Sequence, residues 1–138
     1  MASSEFAPYA ETGKLADDVS DLCAKMAEAG HEVVVVLPLY RCVREQKSLT
    51  LKRSKVRFAV PLGSSRLNCV VWEAVDPKGM RLLFIERDEY FDRTGLYGMD
   101  GRDYEDNAAR FIFFSKCVVE VARRESPDAI HVHGWQPA

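Results

Sequence analysis

The hexapeptide Glu32–Leu37 (EVVVVL) constrains this chain more than any other stretch. Four consecutive valines leave no polar face, and Pro38 stops the run after one further residue. A strand that is apolar on both faces must be covered on both faces. That is the situation of a parallel strand inside an α/β sheet. The preceding residues agree. Leu15, Val19, Leu22 and Met26 recur at helical spacing over Leu15–Ala29, and Gly30 is placed to end that helix. Helix, glycine and doubly buried strand make half of a βαβ unit.

Downstream, Arg41–Lys55 is polar and reads as loop. Val56–Val60, Leu67–Ala74 and Met80–Arg87 then read as strands, separated by Pro61-Leu62-Gly63 and Asp76-Pro77-Lys78-Gly79. Short strands joined by tight turns predict an antiparallel excursion on the edge of the sheet. Glu89–Asp103, rich in glycine, aromatic and charged residues, reads as an ordered surface loop. Tyr104–Arg124 predicts a second helix with Phe111, Phe114, Val118 and Val121 on one face, and Ala129–His133 a short strand. The fold class is therefore α/β, a Rossmann-like, doubly wound parallel sheet with an antiparallel edge excursion. A length of 138 residues suits one domain, which buries about two-thirds of its unfolded surface.

Composition mainly excludes. A net charge of -2 gives no reason to expect nucleic acid or an acidic membrane as partner. The basic run Lys47–Arg57 (KSLTLKRSKVR) reads as a solvated loop and strand edge. Cys23, Cys42, Cys69 and Cys117 are scattered without a CxxC pair, and Cys23 and Cys117 fall on apolar helix faces. Reduced thiols and a cytosolic type of compartment follow. No run approaches membrane-spanning length, and the N-terminus lacks the pattern of a signal peptide.

Three places carry candidate chemistry. Ser3–Val19 (SSEFAPYAETGKLADDV) runs through an irregular stretch into an amphipathic helix. Thr12 is a plausible N-cap there, and Gly13 lets backbone approach a ligand; a helix start of this kind suits an anion, or merely begins the helix. His131 and His133 share a strand face, but two nitrogens without a third ligand make a poor zinc site, so no metal is expected. Asp106-Asn107 is either helix-start chemistry or part of a ligand site.

Four separated segments resemble one family, the bacterial glycogen synthases and plant starch synthases. SSEFAPYAETGKLADDV is similar to their ASE-x-x-P-[FY]-x-KTGGLADV; YFDRTGLYG to YFDR-x-GLYG; DYEDNAARFIFFSK to Y-x-DN-x-x-RF-x-FFS; and PDAIHVHGWQPA to PD-[VI]-[IV]-H-x-HDWQ-[TP]-A. The resemblance implies part of a GT-B glucosyltransferase that moves glucose from ADP-glucose to the 4-hydroxyl of an α-1,4-glucan with retention. It implies no cofactor, since ADP-glucose is a substrate, and no metal. It places the chain in the N-terminal, acceptor-side domain, without the first strand and without the C-terminal domain. By the same resemblance His133 and Asp17 are catalytic, and Glu5, Thr12, Gly13, Lys14, Asp106 and Asn107 bind substrate. The implied location is the cytoplasm, or the plastid stroma in a plant or alga. A non-catalytic glucan-binding or assembly module derived from that family is the alternative.

Departures from the family pattern matter as much. Glu11 stands where the family has the lysine of KTGGL, so an anion replaces a phosphate-binding cation. Lys14 stands in place of the second glycine, and Gly134 in place of the aspartate of HDW. The chain reads as cut at both margins, with only Met1-Ala2 before Ser3. A vacant central strand position predicts marginal stability, an oligomer, or another strand in the gap.

Overall fold

The computed structural model describes residues 1–138. Val34–Pro38 form β2, with Val35, Val36 and Leu37 buried. β2 lies parallel to β5 (Arg81–Glu86) on one side and to β1 (Ala2–Ser3) on the other. Outside β1 lies β8 (Val132–His133), also parallel. Beyond β5 the direction reverses. β4 (Ser65–Val75) and β3 (Lys52–Leu62) extend the sheet antiparallel, giving the order β3-β4-β5-β2-β1-β8. The parallel body and the antiparallel edge are both as expected.

After β5 come a single-turn α3 (Asp88–Phe91) and a separate antiparallel pair, β6 (Gly98–Met99) with β7 (Arg102–Asp103). Two longer helices supply most of the helical cover. α1 (Lys14–Glu28) buries Ala16, Val19 and Cys23, and Gly30 follows its end at φ +91, a backbone favourable to glycine. α4 (Asn107–Glu125) buries Phe111, Phe113, Phe114, Cys117, Val118 and Val121. Ser126 closes it in the left-handed conformation, donating its N–H to Ala122 O. No helix is long and apolar enough to cross a membrane.

Three expectations need correction. The central strand position is not vacant, because Ala2–Ser3 occupy it and pair on both sides: Ala2 with Val36 and Val132, Ser3 with His133. Two residues carry no periodicity, so pattern cannot reveal such a strand. Arg41–Lys55 is not all loop: Arg41–Arg44 form a single-turn α2, and β3 begins at Lys52. The exposed Lys52, Arg53, Lys55 and Arg57 lie along that outermost strand, with an irregular register between Arg53 and Arg57. Charge and irregularity at an edge oppose pairing with other chains. Finally, Thr12 is not the N-cap. Gly13 takes that position with extended backbone, and no side chain caps the helix.

Burial also determines thiol behaviour. Cys23, Cys69 and Cys117 are buried and Cys42 is half-buried. Burial pushes the Cys23 thiol up to about 11, and burial plus the neighbouring Cys69 pushes Cys117 up as well. A thiol held protonated is a poor nucleophile. Ellman's reagent at pH 8 should therefore modify at most Cys42 in the folded chain and all four cysteines in urea. Rapid native modification of Cys23 or Cys117 would contradict this packing.

Candidate functional site

The parallel strands end at one edge of the sheet, where the crevice of an open α/β fold lies. The segments that follow β1, β5 and β8 all leave from that edge. Two of them are joined there by side chains. Glu5, buried after β1, accepts three hydrogen bonds: the Thr12 N–H donates to Oε2 at 2.7 Å, the Thr12 hydroxyl to Oε1 at 2.9 Å, and the Tyr97 hydroxyl to Oε1 at 2.7 Å. Tyr97 also shares a hydrogen bond with Ser4 Oγ at 2.7 Å. A short carboxylate-centred turn thus ties residues 5–12 to the loop after β5.

The other end of the tie is Arg110. This fully buried side chain of α4 donates Nη1 to Asn107 Oδ1 at 2.6 Å, Nε to Tyr90 O at 2.6 Å and Nη2 to Leu96 O at 2.9 Å. Asn107 Nδ2 in turn donates to Tyr97 O at 2.7 Å. No carboxylate pairs with this guanidinium; the faces of Phe91, Tyr104 and Phe111 surround it at 5.0–5.6 Å. Desolvation lowers its pKa, the direction expected of a cation held mainly by carbonyls and rings. Asp106 is engaged differently. Arg93 grips its carboxylate with two bonds of 2.7 and 2.6 Å, which hold Asp106 below the usual carboxylate range. The loop between these residues needs its glycines: a Cβ on Gly95 would strike Gly98 O, and one on Gly98 would strike Arg102 O.

Around the start of α1 the side chains are free of such ties. Gly13 has φ -174, which any residue adopts, and a Cβ there would meet nothing within 4 Å. Neither local strain nor packing therefore demands glycine at this position. Glu11 is exposed and has no hydrogen-bond partner, while Asp17 is exposed in the first turn. Lys14 pairs with Asp18 one turn on, and that hydrogen bond raises its pKa.

His133 sits at the end of β8, paired in register with Ser3, which stands two residues before Glu5 in the chain. Its ring stacks on His131 with centroids 4.2 Å apart, and its Nε2 is buried without a partner. Desolvation first, then the charges of His131 and the Met1 ammonium, lower the His133 pKa from 6.5. The neutral imidazole is the form the fold prefers. Because the unfolded state takes up the proton at higher pH, stability is full above about 6.5 and falls as pH drops through the folded value. The Met1 ammonium, also lowered from 8.0, adds a slope of the same sign. Urea midpoints should therefore fall between pH 8 and pH 5, and less steeply in His133→Gln. An equal slope in the variant would remove His133 as the cause. Next to it, Gly134 has φ +79, where aspartate would be strained. Trp135 is 62% exposed and meets Phe111 edge-on.

The hydrogen bonds and strand pairing connect Glu5, Thr12, Asn107 and His133 through Ser4, Tyr97 and Ser3. Gly13, Lys14 and Asp17 follow Thr12 directly, and Asp106 precedes Asn107. Tyr97, Arg93 and Arg110 complete the arrangement and were not singled out by sequence. For Arg110 a signal existed, since it shares a helical face with Phe114, Cys117 and Val121.

The sheet order and its joined loops define a Rossmann-like domain. A family model described as the starch synthase catalytic domain matches residues 1–138. The glycogen synthase of Opitutus terrae is 41% identical over 99% of this chain and 29% of its own length. That of Syntrophotalea carbinolica is 38% identical over 99% of this chain and 28% of its own. Among solved structures, the catalytic domain of starch synthase IV from Arabidopsis thaliana, bound to ADP and acarbose, superposes with a TM-score of 0.85. It shares 27% identity and covers 99% of this chain and 27% of that one. The protein belongs to the starch synthase catalytic domain family and has the fold of part of a GT-B domain. It spans less than a third of the length of these relatives.

Proposed function

We propose that this chain forms the acceptor-side wall of a glucosyltransferase cleft, in which glucose passes from ADP-glucose to an α-1,4-glucan with retention. The observation that carries the reading is the meeting of three elements at one sheet edge: an uncapped start of α1, the loop held by Glu5 and Tyr97, and the unpaired Nε2 of His133. The first amides of α1 have no side-chain cap and suit a donor diphosphate. Open space at Gly13 supports close backbone approach. A neutral His133 can exchange a hydrogen bond with a sugar hydroxyl, and Asp17 stands in the first turn as its catalytic companion. Glu5, Thr12, Asp106 and Asn107 serve substrate by fixing the loops around it, since their bonding capacity is largely spent within the chain. The donor half of the cleft comes from a C-terminal domain or an associated chain, in the cytoplasm or plastid stroma.

A second reading, a glucan-binding module without catalysis, draws on Glu11 and Lys14. An anion occupies the family's lysine position, and Lys14 is already engaged by Asp18. The test is a chimera in which residues 1–138 replace the matching segment of the Opitutus terrae glycogen synthase. ADP-glucose transfer should be absent from the isolated chain and present in the chimera. His133→Ala should lower its rate about 100-fold or more. Glu11→Lys should lower the KM for ADP-glucose, and Gly13→Ala should raise it without altering the urea midpoint. A chimera that binds glucan but transfers nothing would favour the second reading. One that transfers at full rate with His133→Ala would overturn the role of that histidine.

A further inference from the structure

Between Glu45 and Glu73 the chain contains no acidic residue. The same stretch carries Lys47, Lys52, Arg53, Lys55, Arg57 and Arg66, six positive charges in a chain whose net charge is -2. All six side chains are exposed. None of them forms an ion pair, whereas Arg41, Arg44, Arg81 and Arg93 elsewhere are each held by a carboxylate. Glu73, opposite Lys52 in register, faces Arg81 instead. Like charges gathered on one hairpin repel one another, and no carboxylate of the chain relieves them.

Five of the six lie on β3 and β4. Three strands separate β3 from β1, and four separate it from β8. The register sorts the charges by face. Lys52 stands opposite Glu73 on the side that α4 covers, while Arg53 stands opposite Trp72 and Arg57 opposite Val70 on the other. Trp72 and Val70 are two residues apart along β4, so Arg53 and Arg57 repeat at about 7 Å. Further along, the backbone of this edge is already engaged. Ala59 O accepts from Arg66 Nη2 at 3.1 Å, Pro61 O accepts from Lys116 Nζ at 2.7 Å, and Pro61 has no N–H. The edge therefore offers charge rather than a ladder for strand addition.

We propose that this hairpin edge docks an acidic, extended segment of a partner polypeptide through side-chain ion pairs. Spacing favours such a segment, because alternate side chains of an extended chain also repeat at about 7 Å. Charge on both faces of one edge suits a chain that runs along it, whereas a flat anionic bilayer meets a single face. Nucleic acid fits less well. Single strands bind on exposed aromatic faces, and the two rings of the hairpin, Phe58 and Trp72, lie beneath Arg124 and Arg44. α4 packs on one side of the hairpin, which keeps it out of the groove of a duplex.

The test is fluorescence anisotropy with the 138-residue chain and a labelled peptide of five Glu-Ser repeats. The matching Gln-Ser peptide, a ten-nucleotide oligouridylate and phosphatidylserine vesicles serve as comparisons. At about 20 mM salt the Glu-Ser peptide should bind saturably and the Gln-Ser peptide not at all, and about 200 mM salt should weaken the former roughly tenfold. Arg53→Gln combined with Arg57→Gln should weaken it about tenfold and leave the urea midpoint unchanged, since both side chains are exposed and unpaired. Lys78→Gln combined with Arg102→Gln removes equal charge from exposed positions elsewhere and should weaken it about twofold or less. No saturable binding of the Glu-Ser peptide, an equal loss from the two pairs of substitutions, or tighter binding of the oligouridylate or the vesicles would each overturn the proposal.

Discussion

Arg110→Met is expected to lower stability by about 3–5 kcal/mol, the largest loss among the substitutions considered. Methionine keeps an apolar stem of similar reach, so the change isolates the guanidinium. Without it Tyr90 O, Leu96 O and Asn107 Oδ1 lose their donors inside the protein. Each orphaned acceptor costs about 1–3 kcal/mol, partly offset because a desolvated cation is no longer buried. Domains of this kind are stable by only about 5–15 kcal/mol, so the variant sits near its unfolding threshold. Arg110→Lys should recover little, because a single ammonium cannot reach three acceptors that a planar fork reaches together. Urea titration followed by circular dichroism gives the comparison. A variant within about 1 kcal/mol of the parent would show that the ring faces and carbonyls do not depend on the charge.

The same residue shows where sequence reading works and where it stops. EVVVVL and the face of α4 were legible because period and composition are local properties, and burial followed them. In α1 only Val19 of the expected stripe is buried, beside Ala16 and Cys23, and Leu15, Leu22 and Met26 are half-buried. Arg110 broke that pattern on the buried face of α4, yet a lone arginine in a helix resembles an ordinary surface residue until its neighbours are known. Tyr97 and Arg93 lie within a segment that resembled the family, but their partners are on other elements, Glu5 more than 90 residues away from Tyr97 in the chain. Thr12 illustrates a local rule overridden. Threonine before a helix caps it in the usual case, whereas here Glu5 takes both its N–H and its hydroxyl, and Gly13 becomes the boundary. The two-residue β1 and the single turn of α2 were invisible for a plainer reason. Tertiary neighbours make them, and too few residues are involved for any pattern.

Glu5→Leu should cost about 3 kcal/mol and Glu5→Gln about 1–2 kcal/mol. Leucine fills much of the space and removes the acceptor of three donors: the Thr12 amide, the Thr12 hydroxyl and the Tyr97 hydroxyl. Hydrogen bonds to a charged acceptor are worth about 1.5–3 kcal/mol each, set against the returned cost of burying a carboxylate. Glutamine keeps one carbonyl oxygen and so can retain Tyr97 or Thr12 but not all three. The local consequence separates this role from direct contact with sugar. If Glu5 holds the turn, the Thr12 amide should exchange about 100-fold faster in Glu5→Leu, beyond the change at the buried amides of β2, because local opening then precedes global unfolding. Loosening the turn also displaces Gly13 and the start of α1, so glucan and donor binding in the chimera should weaken together. The opposite pattern is equally readable. Unchanged stability and Thr12 exchange in Glu5→Gln, with glucan binding alone reduced, would make this carboxylate a ligand contact rather than the support of the loop.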